Sequence, residues 1–140
     1  YGQKTNAGWY DYEPGARKGT PSALIEEIII KTSAELGYER RAFTDQEIVD
    51  GYVLSMSNAG AQILEEGLAL RASDIDVICH YGYGFPRYRG GPMFYADLVG
   101  LDNVYDAISR LYDSYGDWVK PSELLMSLAK DGKSFADYTA

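Results

Sequence analysis

The sequence predicts an all-α protein of about six helices around one long central helix, preceded by an extended N-terminal lead-in. Three observations carry this expectation. Apolar residues recur at helical spacing from Leu24 onward, capping residues open the periodic runs, and Gly or Pro stands where runs stop. A length of 140 residues suits one ordinary domain with a single core.

The elements follow in order. Residues 1–20 hold four glycines and the cluster Trp9, Tyr10 and Tyr12 without helical period, and read as an extended tail or lead-in strand. Pro21 and Ser22 open a helix carrying Leu24, Ile25, Ile28, Ile29 and Leu36, with Glu27 and Lys31 four apart on its exposed side and Gly37 as its stop. Thr44 with Glu47 is a capping box that starts the longest run, Asp45 to Leu70. Ile48, Tyr52, Met56, Ala59, Ile63 and Leu64 share one face of it, with Val49, Val53, Gly60 and Gly67 close beside. Its glycines, each costing about 1 kcal/mol relative to Ala in a helix, suggest close helix approach or a kink.

Ser73 with Asp76 repeats the capping pattern and starts a short helix to about Tyr81. Gly82 to Pro92 is the densest punctuation in the chain, and its aromatic rings mark an ordered loop rather than a flexible linker. Pro92 suits the first turn of the next helix, which Gly100 closes. Asp102 is placed to cap a helix with Val104, Ile108, Leu111 and Tyr115. Pro121 begins the last one, with Leu124, Leu125 and Leu128, stopped by Gly132.

Charge narrows the partners. Twenty-one acidic against thirteen basic residues give a net charge of −8, which repels nucleic acid and anionic membranes. No apolar run approaches the roughly 18 residues needed to span a bilayer. The single Cys79 lies in the apolar stretch Ile75–Cys79 and reads as a buried, inert thiol of a reducing compartment. Thirteen of the nineteen aromatic residues are tyrosine, a side chain that suits either a polar-lined core or an interface.

Few residues offer chemistry. His80 is the sole histidine, so neither a zinc site nor a nucleophile–base pair can be completed around it, and no metal site is expected. The carboxylate pairs Glu26/Glu27, Glu65/Glu66 and Asp74/Asp76 read as solvated faces and caps. No nucleotide-binding glycine motif is present. The loop offers the one candidate site: Arg87 and Arg89 precede Gly90, Gly91 and a helix start, where free N–H groups favour an anion such as phosphate. The competing and simpler reading is a tight turn whose arginines cover aromatic rings or pair with carboxylates.

The run from Asn58 through Asp97, above all Gly-Phe-Pro-Arg-Tyr-Arg-Gly-Gly-Pro, resembles the last domain of the multifunctional fatty-acid β-oxidation enzymes. Those join an enoyl-CoA hydratase to an NAD-dependent 3-hydroxyacyl-CoA dehydrogenase. The opening Gly-Gln-Lys-Thr-Asn-Ala-Gly-Trp-Tyr-Asp-Tyr resembles the segment closing the preceding helical domain. The resemblance implies a fold like the C-terminal domain of 6-phosphogluconate dehydrogenase. It also implies a division into residues 1–20, the tail of the preceding domain, and 21–140, the C-terminal helical domain.

In that family the first of two related helical domains carries a catalytic asparagine in an Ile-Val-Asn-Arg run, and the second, which this sequence matches, does not. Here the matching stretch is Ile48, Val49, Asp50, Gly51. An ionised aspartate cannot supply the amide donor. The resemblance therefore implies no catalytic and no cofactor-binding residue in this chain, with NAD, acyl-CoA and the catalytic His–Glu pair belonging to an upstream Rossmann domain and first helical domain. The start on Tyr1 suggests a piece of a longer protein. The piece is expected to be inactive alone, to present an apolar patch and to self-associate. The alternatives are a binding loop, in which Arg87, Arg89, Gly90 and Gly91 take the phosphates of CoA or contact the hydratase part of the same chain, and a free-standing helical interaction module. The ending Asp-Tyr-Thr-Ala, rather than Ser-Lys-Leu, favours a bacterial cytoplasm over a peroxisome.

Overall fold

A computed structural model describes residues 2–139 and divides the chain into two compact units, Tyr1–Ala42 and Phe43–Ala140. The division falls after Ala42, whereas the sequence expectation placed it after Thr20.

In the first unit, β1 (Tyr10–Asp11) pairs antiparallel with β2 (Thr20–Pro21), Tyr10 opposite Pro21 and Asp11 opposite Thr20. The lead-in is thus a hairpin rather than a purely extended tail. Next comes α1 (Ala23–Glu35), which ends as its glycine requires. Gly37, at φ 73°, turns the chain so that its own N–H reaches the Ala34 carbonyl and that of Tyr38 reaches Ser33. Lys31 pairs with Glu35 at 3.9 Å rather than with Glu27. No residue of α1 is buried, and Leu24, Ile28, Ile29 and Ile30 are all exposed.

The second unit is built on α2 (Asp45–Glu65), opened by the expected capping box: the Glu47 N–H donates to Thr44 Oγ1, and the Thr44 N–H donates to the Glu47 carboxylate. The helix stops at Glu65, short of Leu70. Gly67 adopts φ 70°, and the Gly67 and Leu68 N–H groups bond back to Leu64 and Ile63. This glycine is a terminus, not an interior residue. Of Gly51, Gly60 and Gly67, only Gly60 marks a close approach, since a Cβ there would strike the Met93 sulfur.

Around α2 pack α3 (Ala72–Gly82), α4 (Pro92–Val99), α5 (Leu101–Tyr115) and α6 (Glu123–Lys130), with one-turn 3-10 segments at Arg87–Arg89, Asp117–Val119 and Phe135–Asp137. Six α-helices are present among the described residues, and the all-α class stands. The core is Leu64, Met93, Val104, Ile108, Leu125 and Phe135, all essentially inaccessible to solvent. Cys79 is buried, as expected.

Three starts differ from expectation. The N-cap of α3 is Arg71, whose N–H donates to Asp74 while Asp76 turns elsewhere. The N-cap of α5 is Gly100, because the immediately preceding helix leaves no room for Asp102 to lie outside the first turn. The N-cap of α6 is Ser122, whose hydroxyl accepts from the Leu125 N–H, with Pro121 just before it.

The buried face of α2 also differs. It comprises Val53, Leu54, Ser57, Asn58, Gly60, Ala61 and Leu64, while Ile48 and Tyr52 at its start stay exposed. Two polar members of that face act as clamps. Ser57 Oγ donates to the Pro92 carbonyl at 2.7 Å, and the Asn58 side chain spans the approach to α6, donating to the Lys120 carbonyl and accepting from the Ser122 N–H, each at 2.9 Å. Because Phe135 is fully buried where its 3-10 turn packs on α3 and α4, Phe135→Ala is expected to lower stability by about 3–5 kcal/mol, measured by urea unfolding followed by circular dichroism.

Candidate functional site

The loop between α3 and α4 is fixed along its length. The N–H groups of Tyr83 and Phe85 both bond to the Cys79 carbonyl, at 3.2 and 3.0 Å. Phe85 is buried, and the His80 ring meets it edge-on at 6.1 Å between centroids. His80 Nδ1 lies 3.1 Å from the Phe85 carbonyl oxygen, which makes it the protonated nitrogen of the ring. The sole histidine is thus a loop brace.

Arg87 and Arg89 project from the 3-10 turn. The Arg87 guanidinium lies over the Tyr81 ring at 5.3 Å, and that of Arg89 over Tyr88 at 5.6 Å and Tyr95 at 5.9 Å. Of the two outcomes open from sequence for these arginines, ring contact is the one the geometry contains. Neither has a carboxylate within ion-pair distance among the described residues.

The helix start beyond them already holds an anion. Asp76, reaching across from α3, accepts from the Met93 N–H at 2.8 Å and from the Phe94 N–H at 3.1 Å. These are the amides that the sequence reading offered to an external phosphate. Gly91, at φ 114°, lies so close that a Cβ would strike the Asp76 carboxylate, and a Cβ on Gly90 would strike the Phe94 ring. The two glycines let the chain pass between an internal carboxylate and an aromatic ring. Burial pushes the Asp76 carboxyl above its ordinary value, outweighing the two N–H bonds that pull it down.

Asp50, at the position singled out by the resemblance, accepts from Gln46 Nε2 at 2.7 Å and from the Tyr95 hydroxyl at 3.4 Å. Since Arg89 covers that same Tyr95 ring, Asp50 is linked to the loop through one side chain. No group of three or more His, Cys, Asp or Glu poised for a metal occurs among the described residues. Asp97 repeats the Asp76 arrangement at the other end of α4, accepting from the N–H groups of Phe135 and Ala136 at 2.6 and 3.1 Å. Burial raises its carboxyl as well. Sequence reasoning assigned neither aspartate this role; the available signal for Asp76 was its helical spacing from Ala72 and Cys79, which puts it on the same buried face.

Comparison with known proteins follows this geometry. The family model described as 3-hydroxyacyl-CoA dehydrogenase, C-terminal domain, matches residues 48–136, within the second unit. A peroxisomal bifunctional enzyme of Danio rerio is 41% identical over 135 residues, covering 94% of this chain, and that of Homo sapiens is 36% identical over the same length. A peroxisomal fatty acid beta-oxidation multifunctional protein of Arabidopsis thaliana, AIM1, is 37% identical over 134 residues. This chain spans 19% of the length of each of these relatives. Among solved structures, FadB2 of M. tuberculosis superposes with a TM-score of 0.55 at 21% identity, over 87% of this chain and 44% of that one, a likeness of fold.

Asp76→Ala leaves two helix-start N–H groups without their acceptor and is expected to cost about 2–3 kcal/mol. The pH dependence has a definite sign. A folded-state pKa above the unfolded one means that the folded chain binds the proton more tightly, so the Asp76 contribution is greatest below the ordinary carboxylate value and declines as pH rises through the raised one. Asp76→Asn removes this titration. Wild-type stability minus that of the Asn variant should therefore grow as pH falls through that window, which urea titrations at several pH values would read.

Proposed function

This chain belongs to the family of 3-hydroxyacyl-CoA dehydrogenase C-terminal domains, and from that premise we propose that it is the non-catalytic second helical domain of an NAD-dependent 3-hydroxyacyl-CoA dehydrogenase. In the proposed parent it is joined to an enoyl-CoA hydratase in fatty-acid β-oxidation. It covers the apolar face of the preceding helical domain and keeps the catalytic cleft in shape.

One observation supports this role most directly. The first two turns of α2 present Ile48 and Tyr52, 58% and 69% exposed, with Val49 beside them, although from Val53 onward the same helix turns a buried face to the core. A contiguous apolar face of this kind marks an interface. Asp50 lies in those two turns, and its carboxylate is committed to Gln46 and Tyr95, an acceptor's role rather than that of an amide donor.

NAD, when bound, accepts the hydride from the 3-hydroxyl carbon of the substrate. A dinucleotide sits where a parallel strand meets a helix through a glycine-rich turn, and the described residues contain one two-residue antiparallel ladder. The residues here do not fit the cofactor. It belongs, with the catalytic His–Glu pair, to the upstream part of the parent. Residues 1–42 supply the end of the preceding helical domain in this reading, which extends the expected tail to include α1 and its exposed isoleucines. The CoA-phosphate alternative is weakened, because Asp76 already takes the α4 amides. For the compartment, the names of the relatives support a peroxisomal parent over the cytoplasmic one first expected. Among the described residues no helix is long and apolar enough to cross a membrane.

The test uses the chain alone and with its parent's upstream part. The chain alone should show no NADH-dependent reduction of acetoacetyl-CoA; measurable turnover would overturn the reading. It should associate with the upstream part, or with itself when that part is missing. Ile48→Asp with Tyr52→Asp should leave its circular dichroism unchanged and weaken that association by at least about tenfold, since the altered side chains are exposed in the isolated fold.

A further inference from the structure

The second unit holds fifteen Asp and Glu against seven Lys and Arg, which accounts for the whole net charge of −8. In such a setting a free guanidinium should find a carboxylate, as Arg71 finds Asp74 at 2.9 Å. Arg87 and Arg89 do not. They are held instead with their guanidiniums over the rings of Tyr81, Tyr88 and Tyr95, and neither is paired with a carboxylate among the described residues. Around them Tyr81, Tyr83 and Tyr88 are 77%, 78% and 84% exposed.

The platform is rigid rather than floppy. Its start is tied by the Phe85–Cys79 and His80–Phe85 bonds, and its end by the Asp76 carboxylate beneath Gly91. Exposed tyrosine and arginine on a fixed loop are the side chains that dominate protein interfaces, and they lose little conformational freedom on docking.

Building on the function proposed above, we propose that Arg87 and Arg89, with Tyr81, Tyr83 and Tyr88, form a second docking surface, distinct from the α2 face, that receives a carboxylate-bearing surface of the upstream part of the parent polypeptide. Charge complementarity selects an acidic partner, since both guanidiniums of this short turn lie over aromatic rings and neither has a carboxylate partner among the described residues. The length relation supplies the occupant: relatives of which this chain spans 19% carry roughly four-fifths of their length outside the region matched here. The inference rests on the parent assignment, but it concerns residues that the assignment does not use.

Hydrogen exchange on the intact parent separates the two. Relative to the isolated chain, amides from Gly82 to Gly90 should exchange at least about tenfold more slowly in the parent. Arg87→Glu with Arg89→Glu in the parent should restore fast exchange in the loop while leaving the start of α2 protected. Arg87→Lys with Arg89→Lys, which keeps charge but loses the fork, should fall between. Loop amides that exchange equally in parent and isolated chain, or that stay protected in the Glu variant, overturn this inference alone. An α2 start that gains no protection in the parent overturns the function proposed above as well.

Discussion

The buried carboxylate of Asp76 is the constraint on which the loop and its helices depend. It sits on α3, yet its hydrogen bonds go to the first amides of α4, so one side chain closes the turn between two helices and satisfies donors that a helix start leaves orphaned. Its energetics are finely set. Two charge-assisted bonds and the positive end of the helix dipole favour the ionised form, while burial opposes it, and the upward displacement of its pKa says that burial prevails. A carboxylate held so close to backbone excludes any side chain at Gly91. The glycine pair is therefore the consequence of an internal anion, where the sequence motif alone suggested room for an external one.

The same logic recurs along α2. Its buried half carries Ser57 and Asn58 among apolar neighbours, and each reaches the backbone just before or at the start of another helix: Ser57 the Pro92 carbonyl, Asn58 the chain on either side of Pro121. Glu65 adds a bond from the Ser122 hydroxyl at 2.9 Å. Dispersion and burial hold the five helices of the second unit together, but these polar groups fix where α4 and α6 begin. With Gly60 admitting Met93, α2 is a central rod whose second half is committed inward. Its first two turns, with Ile48, Val49 and Tyr52 exposed, are free to serve an interface without disturbing the core.

Helix ends were legible in sequence because they are local. Gly37, Gly67 and Gly132 each end a helix through a positive φ and two backward hydrogen bonds, and the Thr44–Glu47 box opens one. Gly67 was read as interior only because apolar residues continue past it to Leu70. The buried face of α2 was not legible. Periodicity identifies apolar stripes, but whether a stripe is covered by this chain or left for another surface depends on neighbours distant in sequence. The same limit hid the role of Asp76, whose spacing from Ser73 fits a cap equally well while its actual partners lie 17 and 18 residues further on. Arg87 and Arg89 stand out in the sequence as neighbouring basic residues, yet only geometry shows that rings rather than carboxylates hold them.

Asp50 shows how a fold can keep a position while its chemistry changes. The resemblance places an amide-bearing side chain here in the related catalytic domain. In this chain the carboxylate accepts from Gln46 and from the Tyr95 hydroxyl, and Tyr95 in turn lies under Arg89. An ionised carboxylate offers only acceptors, so it suits two donors from its own chain and cannot donate to a substrate oxygen. Binding it to Tyr95 couples the start of α2 to the arginine loop. A position that the resemblance gives to an amide donor in a related domain is here an internal brace between the start of α2 and the arginine loop.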